Sequence, residues 1–294
     1  MRDAPLRLIA QAPGLPWQWR KRAIGVLMQR DSEASIEARC GAIDYCADLA
    51  IADGRGGNVG PIWQFWNTGQ TEFPPLVQNC LQSVLGYAGE RQRVLVTMKT
   101  VGDYVDLPGA VMDRRAFWGW TKFSNLLRLK LLERHGGTWI DATVLLAAPL
   151  PDVIQTAPFF AAKWNHDPRI IANWLIQSVS GHPLIAAMST AYERYWMTAE
   201  VPGDYFMFHF IFEALILSSR RLQTLWDQVP DQDAKLNHEL QHRLDEAFNP
   251  VVLAEIARRA PIQKLTLKHQ PPRAAEETFW AALNRPNFVS QLTR

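Results

Sequence analysis

Asp141 and the polar residues Thr121, Ser124, Asn125 and Arg128 are where this sequence could do chemistry. The four are spaced 3, 1 and 3 apart, so on a helix they fall on one stripe. Leu127 and Leu131 flank one edge of the stripe and Leu129 the other, while Lys130, Glu133 and Arg134 form a separate charged sector. Such a stripe is either one side of an exposed helix or a half-buried wall whose groups need partners. Asp141 stands in the run Gly136-Gly137-Thr138-Trp139-Ile140-Asp141-Ala142-Thr143-Val144. Read as a strand, Trp139, Asp141 and Thr143 face one way, and Thr138, Ile140, Ala142 and Val144 the other. A carboxylate at the end of an otherwise apolar strand is costly unless paired. A divalent cation is one solution, because hard cations take carboxylate oxygens. A buried pair with Arg128 is another. The two are compatible if Arg128 binds a phosphate or positions Asp141.

Other residues offer chemistry with a plainer reading beside it. Asp204 follows Pro202-Gly203 at the start of a helix, where an aspartate also serves as an N-cap. His209 sits among Phe206, Phe208, Phe210 and Phe212, so it is a packed core histidine or an imidazole base. Asn173, between Ala172 and Trp174, either satisfies a strand end or touches a substrate. His238-Glu239-Leu240-Gln241-His242 matches the zinc-peptidase string, in which two histidines four apart on a helix hold Zn²⁺ and the glutamate is the base. Its polar flanks, Asp231, Asp233, Lys235, Arg243 and Asp245, read as solvent-facing, and no downstream motif supplies an obvious third ligand.

The elements that must position these residues alternate after Gly60. Strands are expected at Pro61–Trp66, Arg93–Met98, Thr138–Leu146, Phe159–Trp164, Ile171–Ser178 and 262–268. Helices are expected at Pro74–Leu85, 119–135, 183–197, 204–219, 236–247 and 250–259, the second ended by Gly136-Gly137. Strand–helix alternation followed by mostly helices predicts an α/β fold with an open parallel or mixed sheet. In such sheets a ligand sits at the carboxyl ends of the strands. Residues 1–30 read as irregular and 32–51 as a helix. Gly54-Arg55-Gly56-Gly57-Asn58 only superficially resembles a dinucleotide loop and reads as a linker, because its glycine spacing is wrong and a strand follows it.

Composition sets the outer limits. The 294 residues carry 31 Lys+Arg against 29 Asp+Glu, a formal charge of +2, and are 48% hydrophobic, which excludes a disordered chain, a coiled coil and collagen. Near-neutral charge argues against a nucleic-acid binder. Cys40, Cys46 and Cys80 make no disulfide framework and point to a reducing compartment. No apolar run approaches the roughly 20 residues of a membrane span, and no signal-peptide pattern is seen, so a cytoplasmic location is expected. The basic, aromatic Trp17-Gln18-Trp19-Arg20-Lys21-Arg22 could touch the inner face of a membrane. Trp, at 12, nearly equals Phe, at 13; indole rings suit sugar or nucleobase stacking as well as core packing.

The words Lys122-Phe123-Ser124-Asn125-Leu126-Leu127-Arg128 and Gly136-Gly137-Thr138-Trp139-Ile140-Asp141-Ala142-Thr143 resemble the core of capsular polysaccharide synthesis glycosyltransferases. These are DXD-type sugar transferases related to glycosyltransferase family 32. Pro61-Ile62-Trp63-Gln64-Phe65-Trp66, Tyr104-Val105-Asp106-Leu107-Pro108, Asn173-Trp174, Asp204-Tyr205-Phe206-Met207-Phe208-His209 and Lys264-Leu265-Thr266 agree with it in order and spacing.

The resemblance implies a GT-A-like (Rossmann-like) domain at 58–270 with additional C-terminal helices, an N-terminal extension at 1–57 and a tail at 271–294. It implies transfer from a nucleotide-sugar, commonly a UDP-sugar, with Mn²⁺ or Mg²⁺, onto a growing surface or capsular polysaccharide or lipid-linked saccharide, with retention at the anomeric carbon. Trp63, Gln64, Ser124, Asn125, Arg128, Gly137 and Asn173 would bind the donor. Asp141 and Thr143 would stand at the metal, and Asp141, Asp204 and His209 would serve catalysis. The sequence departs from the pattern at Asn125, where Asp is usual, at Thr143, the third DXD position, and at Gln263, where a further metal-binding His is usual. Two rival readings are a non-catalytic nucleotide-sugar or glycan binder on the same fold and, more remotely, a zinc metallopeptidase using His238, Glu239 and His242.

Overall fold

The computed structural model describes residues 4–12, 14–28, 38, 41–51, 60–67, 73–165, 170–200, 203–270 and 277–289. Residues 32–37, 39 and 40 of the helix expected at 32–51, the Gly54–Asn58 linker and Pro202 lie outside them. A five-stranded mixed sheet forms the centre. Its strands are β1 (Ile62–Phe65), β2 (Arg93–Val96), β3 (Gly137–Ile140), β5 (Phe159–Lys163) and β6 (Ile171–Ser178), in the order β2-β1-β3-β6-β5. β1 runs parallel to β2 and β3, while β6 is antiparallel to β3 and to β5. β4 (Val144–Leu146) and β7 (Ile262–Lys264) form a separate antiparallel pair.

The connections create the opening for a ligand. From β1 the chain crosses through helix Pro75–Gly86 to β2 on one side. From β2 it crosses through helix Arg115–His135 to β3 on the other. The sheet therefore reverses its order at β1 and β3, and a crevice opens beyond their carboxyl ends. Helix Arg115–His135 lies against the sheet on one side and helix Pro183–Thr198 on another. This explains its leucines on two edges: Phe123, Leu126, Leu127, Leu129, Leu131 and Leu132 are all buried. The polar stripe is thus the wall of the crevice and not a solvent face.

Gly136 and Gly137 turn the helix into β3 with φ of +66° and +103°. A Cβ on Gly137 would stand 2.2 Å from the Pro61 carbonyl oxygen, so this corner admits glycine alone. Trp63 braces the same corner by donating its indole N–H to Gly136 O at 2.8 Å.

Several expected elements take another form. The stretch 138–146 is two strands in different sheets, not one. The Asp141 N–H still bonds Trp174 O, but Val144 N then bonds Asp141 O across a turn, and the chain leaves to pair with β7. Residues 1–30 are helical over Ala4–Gln11 and Trp17–Met28, and Ala10, Ala23 and Ile24 join the main core. The helix expected at 236–247 is a 3₁₀ turn, Ala234–His238, followed by the single turn Glu239–His242, and β7 stops at Lys264. Residues 277–289 pack into the body of the fold: Phe279, Leu283 and Phe288 are buried with Leu76, Leu145 and Leu253, and Asn79 Nδ2 donates to Leu283 O.

Helix Pro183–Thr198 begins at His182, whose Nδ1 accepts the Leu184 N–H at 3.3 Å while its ring stacks on Phe159. Burial penalises the charged ring and pushes its pKa down to about 4, and the neutral ring is the form that can accept this bond. A folded-state pKa below the ordinary 6.5 contributes stability that is complete above pH 6.5 and lost as the pH falls toward 4. We expect urea denaturation to show wild type losing about 2 kcal/mol more than His182→Asn across that window, since Asn keeps the cap acceptor without titrating. Parallel pH curves for the two proteins would refute this.

Candidate functional site

Arg128 stands at the floor of the crevice with 3% of its side chain exposed. Its Nη2 lies 3.2 Å from Asp141 Oδ1, Nη1 donates to Asn173 O, and Nε donates to Ser124 O at 3.2 Å. The guanidinium also lies over the Trp139 ring at 4.9 Å. Burial lowers its pKa and the Asp141 charge opposes that shift, and an arginine remains protonated under both influences. Asp141 sits where β3 ends. Its Oδ1 also accepts the Trp139 indole N–H at 2.8 Å, and its Oδ2 lies 3.5 Å from Lys264 Nζ. Lys264 ends β7, opposite Val144, and donates to Thr143 Oγ1. The small β4–β7 sheet therefore delivers a cation to the end of the large one.

Around this cluster is a cavity of about 420 Å³. The sequence-predicted Ser124, Asn125, Arg128, Asp141, Thr143, Asn173 and His209 all line it. Asn125 accepts from Asn173 Nδ2 at 3.1 Å and donates to the Tyr192 hydroxyl at 3.3 Å, so this amide ties the helix to β6 and to helix Pro183–Thr198. His209 is buried between the Phe206 and Phe208 rings at the cavity wall.

Four predicted residues lie elsewhere. Trp63 and Gln64 are buried within β1, where Trp63 packs on Tyr104 and His135 and Gln64 accepts from Arg93 Nε at 2.9 Å. Their chain neighbours Phe65, Trp66 and Asn67 reach the cavity instead. Gly137 acts at the helix–strand corner. Asp204 does not line the cavity; its Oδ1 accepts the Phe206 N–H at 2.6 Å, which shapes the turn into helix Met207–Ser218.

Residues that sequence reasoning left out of the site are Trp66, Trp120, Trp164, Trp174, Tyr205, Lys264 and Lys268. Lys264 was visible as the first letter of a family word. Its neighbour Gln263, read as a position for a metal ligand, points the other way. Gln263 is 1% exposed, accepts from Leu240 N at 2.9 Å and donates to Ala260 O at 2.9 Å.

The zinc-peptidase geometry is not formed. His238 lies in the 3₁₀ turn and His242 in the following α-turn, so the two do not share one regular helix face. Glu239 is held by Arg259 at 2.6 Å and by Arg243. His238 itself faces the cavity beside Trp164 and Trp174.

The residues present also fit a resident Mn²⁺ or Mg²⁺ poorly. Among the described residues Asp141 is the one carboxylate lining the cavity, both its oxygens face cations, and no cluster of three or more His, Cys, Asp or Glu residues is placed to hold a metal ion.

In the N-terminal extension, Trp19 is exposed, but Arg20 turns inward to Ala10 O and Ser218 O, and Lys21 pairs with Asp44. Among the described residues no helix is long and apolar enough to cross a membrane.

Because Arg128 is buried, removing its counter-ion should cost more than removing an exposed charge. We expect a urea-denaturation double-mutant cycle on Arg128→Met and Asp141→Ala to give a coupling of about 1–3 kcal/mol. Additive single effects would show that the pair is not an energetic unit.

No curated protein sequence matches this chain. One similar solved structure is titled PaToxG Glycosyltransferase, at 11% identity and a TM-score of 0.38, covering 71% of this chain and 84% of that one. Residues 50–283 match the family described as Capsular polysaccharide synthesis protein, and because that match spans most of the sequence and contains every cavity-lining segment, the chain belongs to that family.

Proposed function

We propose that this protein is a glycosyltransferase that moves a sugar from a nucleotide-sugar, a UDP-sugar in the first instance, onto a surface or capsular saccharide, free or lipid-linked. The observation that carries the reading is the convergence at the sheet's switch point. A stripe of hydrogen-bonding side chains, a buried guanidinium and two lysines meet in one cavity with indole walls. Amide and hydroxyl groups on Ser124, Asn125 and Asn173 suit ribose and sugar hydroxyls. Trp66 and Trp174 offer flat faces for a base or a sugar ring. Membership in a polysaccharide-synthesis family supports the same class of substrate.

In this reaction the bond between the anomeric carbon and the diphosphate oxygen breaks, and its electron pair stays on the diphosphate. The acceptor hydroxyl oxygen bonds the anomeric carbon and its proton passes to the departing diphosphate, as suits retention. What the site must supply is positive potential where that charge develops, and Arg128 provides it from a fixed, water-poor position. Asp141 holds Arg128 in register. His209 stands at the acceptor side of the proposed arrangement, while Asp204 shapes the turn that presents Tyr205 and Phe206.

The test is a thermal-shift titration of wild type and Asp141→Ala with a panel of nucleotide-sugars, with and without Mn²⁺. A donor at about 100 times its Kd should stabilise wild type by about 2.7 kcal/mol through mass action, and the variant by less. If no nucleotide-sugar stabilises wild type, the donor reading fails. Release of nucleoside diphosphate in the presence of acceptor then separates a transferase from a binding protein.

A further inference from the structure

Charge in the cavity is lopsided. Arg128, Lys264 and Lys268 line it against the single carboxylate Asp141 among the described residues. A hard divalent cation needs several oxygens with lone pairs to spare. Here Asp141 faces Arg128, Lys264 and the Trp139 N–H, the Thr143 hydroxyl accepts from Lys264, and the Asn125 carbonyl accepts from Asn173. A cation entering this site would meet an ammonium and a guanidinium within reach of the only carboxylate. An anion entering it would meet both.

Lys264 is suited to that task. Its ammonium lies at the end of β7, with 20% of the side chain exposed. It is held by Thr143 Oγ1, Leu265 O at 3.3 Å and Asp141 Oδ2. Two of these partners are neutral and the third is long, so an incoming phosphate oxygen can replace one at little cost. A lysine binds phosphate as a point charge, without a fixed approach direction. Four residues on, Lys268 is exposed and lies over the Tyr205 ring at 5.0 Å, at the rim of the same cavity. The two ammoniums come from one short segment that begins at the last residue of β7, so a single stretch of chain presents both.

We propose that Lys264 and Lys268, backed by Arg128, hold the diphosphate of the donor in the place a divalent cation would otherwise take, so that nucleotide binding does not depend on a metal. This rests on the donor reading above and names the groups that grip the donor. It also gives a reason for the neutral residues at 125 and 143. With the diphosphate neutralised by side chains, no second carboxylate is needed to hold a metal ion, and one would repel the donor.

The experiment is isothermal titration of the full chain with UDP, GDP, ADP and CDP, in EDTA and in Mn²⁺, on wild type, Lys264→Met, Lys264→Arg and Lys268→Ala. The expected result is binding in EDTA within about threefold of that in Mn²⁺. Lys264→Met should weaken it about tenfold or more, Lys264→Arg should largely restore it, and Lys268→Ala should weaken it by less. Thermal unfolding checks that Lys264→Met is folded; should it not fold, the exposed Lys268→Ala still reports on the clamp. Binding that appears only with Mn²⁺, or that is unchanged in both lysine truncations, overturns the inference while leaving the donor reading intact. If none of the four diphosphates binds under either condition, both fall together.

Discussion

A guanidinium in the protein interior is the constraint around which this structure is arranged. Taking a permanent charge out of water costs several kcal/mol even after relaxation, so Arg128 has to be surrounded by acceptors. They come from three places: Asp141 at the end of β3, the Asn173 carbonyl at the start of β6, and Ser124 one turn earlier on its own helix, with the Trp139 ring on one side. Satisfying the charge therefore fixes the helix against two strand ends at once. A hydrophobic side chain of similar volume could fill the space without that cost. What the charge adds is a positive potential aimed into a cavity, which is what the proposed donor site would draw on.

Much of this was legible in the sequence. The spacing of Thr121, Ser124, Asn125 and Arg128 put them on one stripe, left open as an exposed side or a half-buried wall, and the stripe lines the cavity; the run Ile171–Ser178 forms a strand with those bounds. Pairing of Asp141 with Arg128 was one of two alternatives left open, and it is formed. The break between β3 and β4 was not legible. Alternation of side chains continues through Asp141, Ala142 and Thr143, and nothing local says that Val144 will pair with a strand some 120 residues away. The helical pattern at 236–247 failed for a related reason. Gln263 bonds the Leu240 N–H and Asn237 Nδ2 bonds Ile262 O, so β7 dictates how that segment is held.

Register decides two further points. In a strand adjacent residues face opposite ways, and β7 turns Gln263 into the core and Lys264 toward the cavity. Position 263, where the resemblance places a metal-binding His and this chain has Gln, lies one residue from the side chain that lines the cavity. β1 repeats the lesson. Trp63 and Gln64 serve the interior, and the chain reaches the cavity only where the strand ends, at Phe65, Trp66 and Asn67. Sites at the carboxyl ends of strands belong to the residue after the pattern stops, which is where periodicity has least to say.

The distribution of charge closes the physical case. A formal charge of +2 over 294 residues attracts nothing in particular. Concentrating three cations around one carboxylate makes the cavity locally positive. Burial of Arg128 keeps its field from being screened, whereas Lys268 at the rim is open to salt. An anionic donor would thus be drawn first by the exposed ammonium and held by the enclosed charges. The indole walls would provide the part of the proposed donor's affinity that salt does not weaken. Trp66, Trp120, Trp139, Trp164 and Trp174 place five of the twelve tryptophans at this one cavity. That combination of fixed positive charge and flat apolar faces matches a ligand carrying both a diphosphate and rings, and it matches a purely anionic or purely apolar ligand less well.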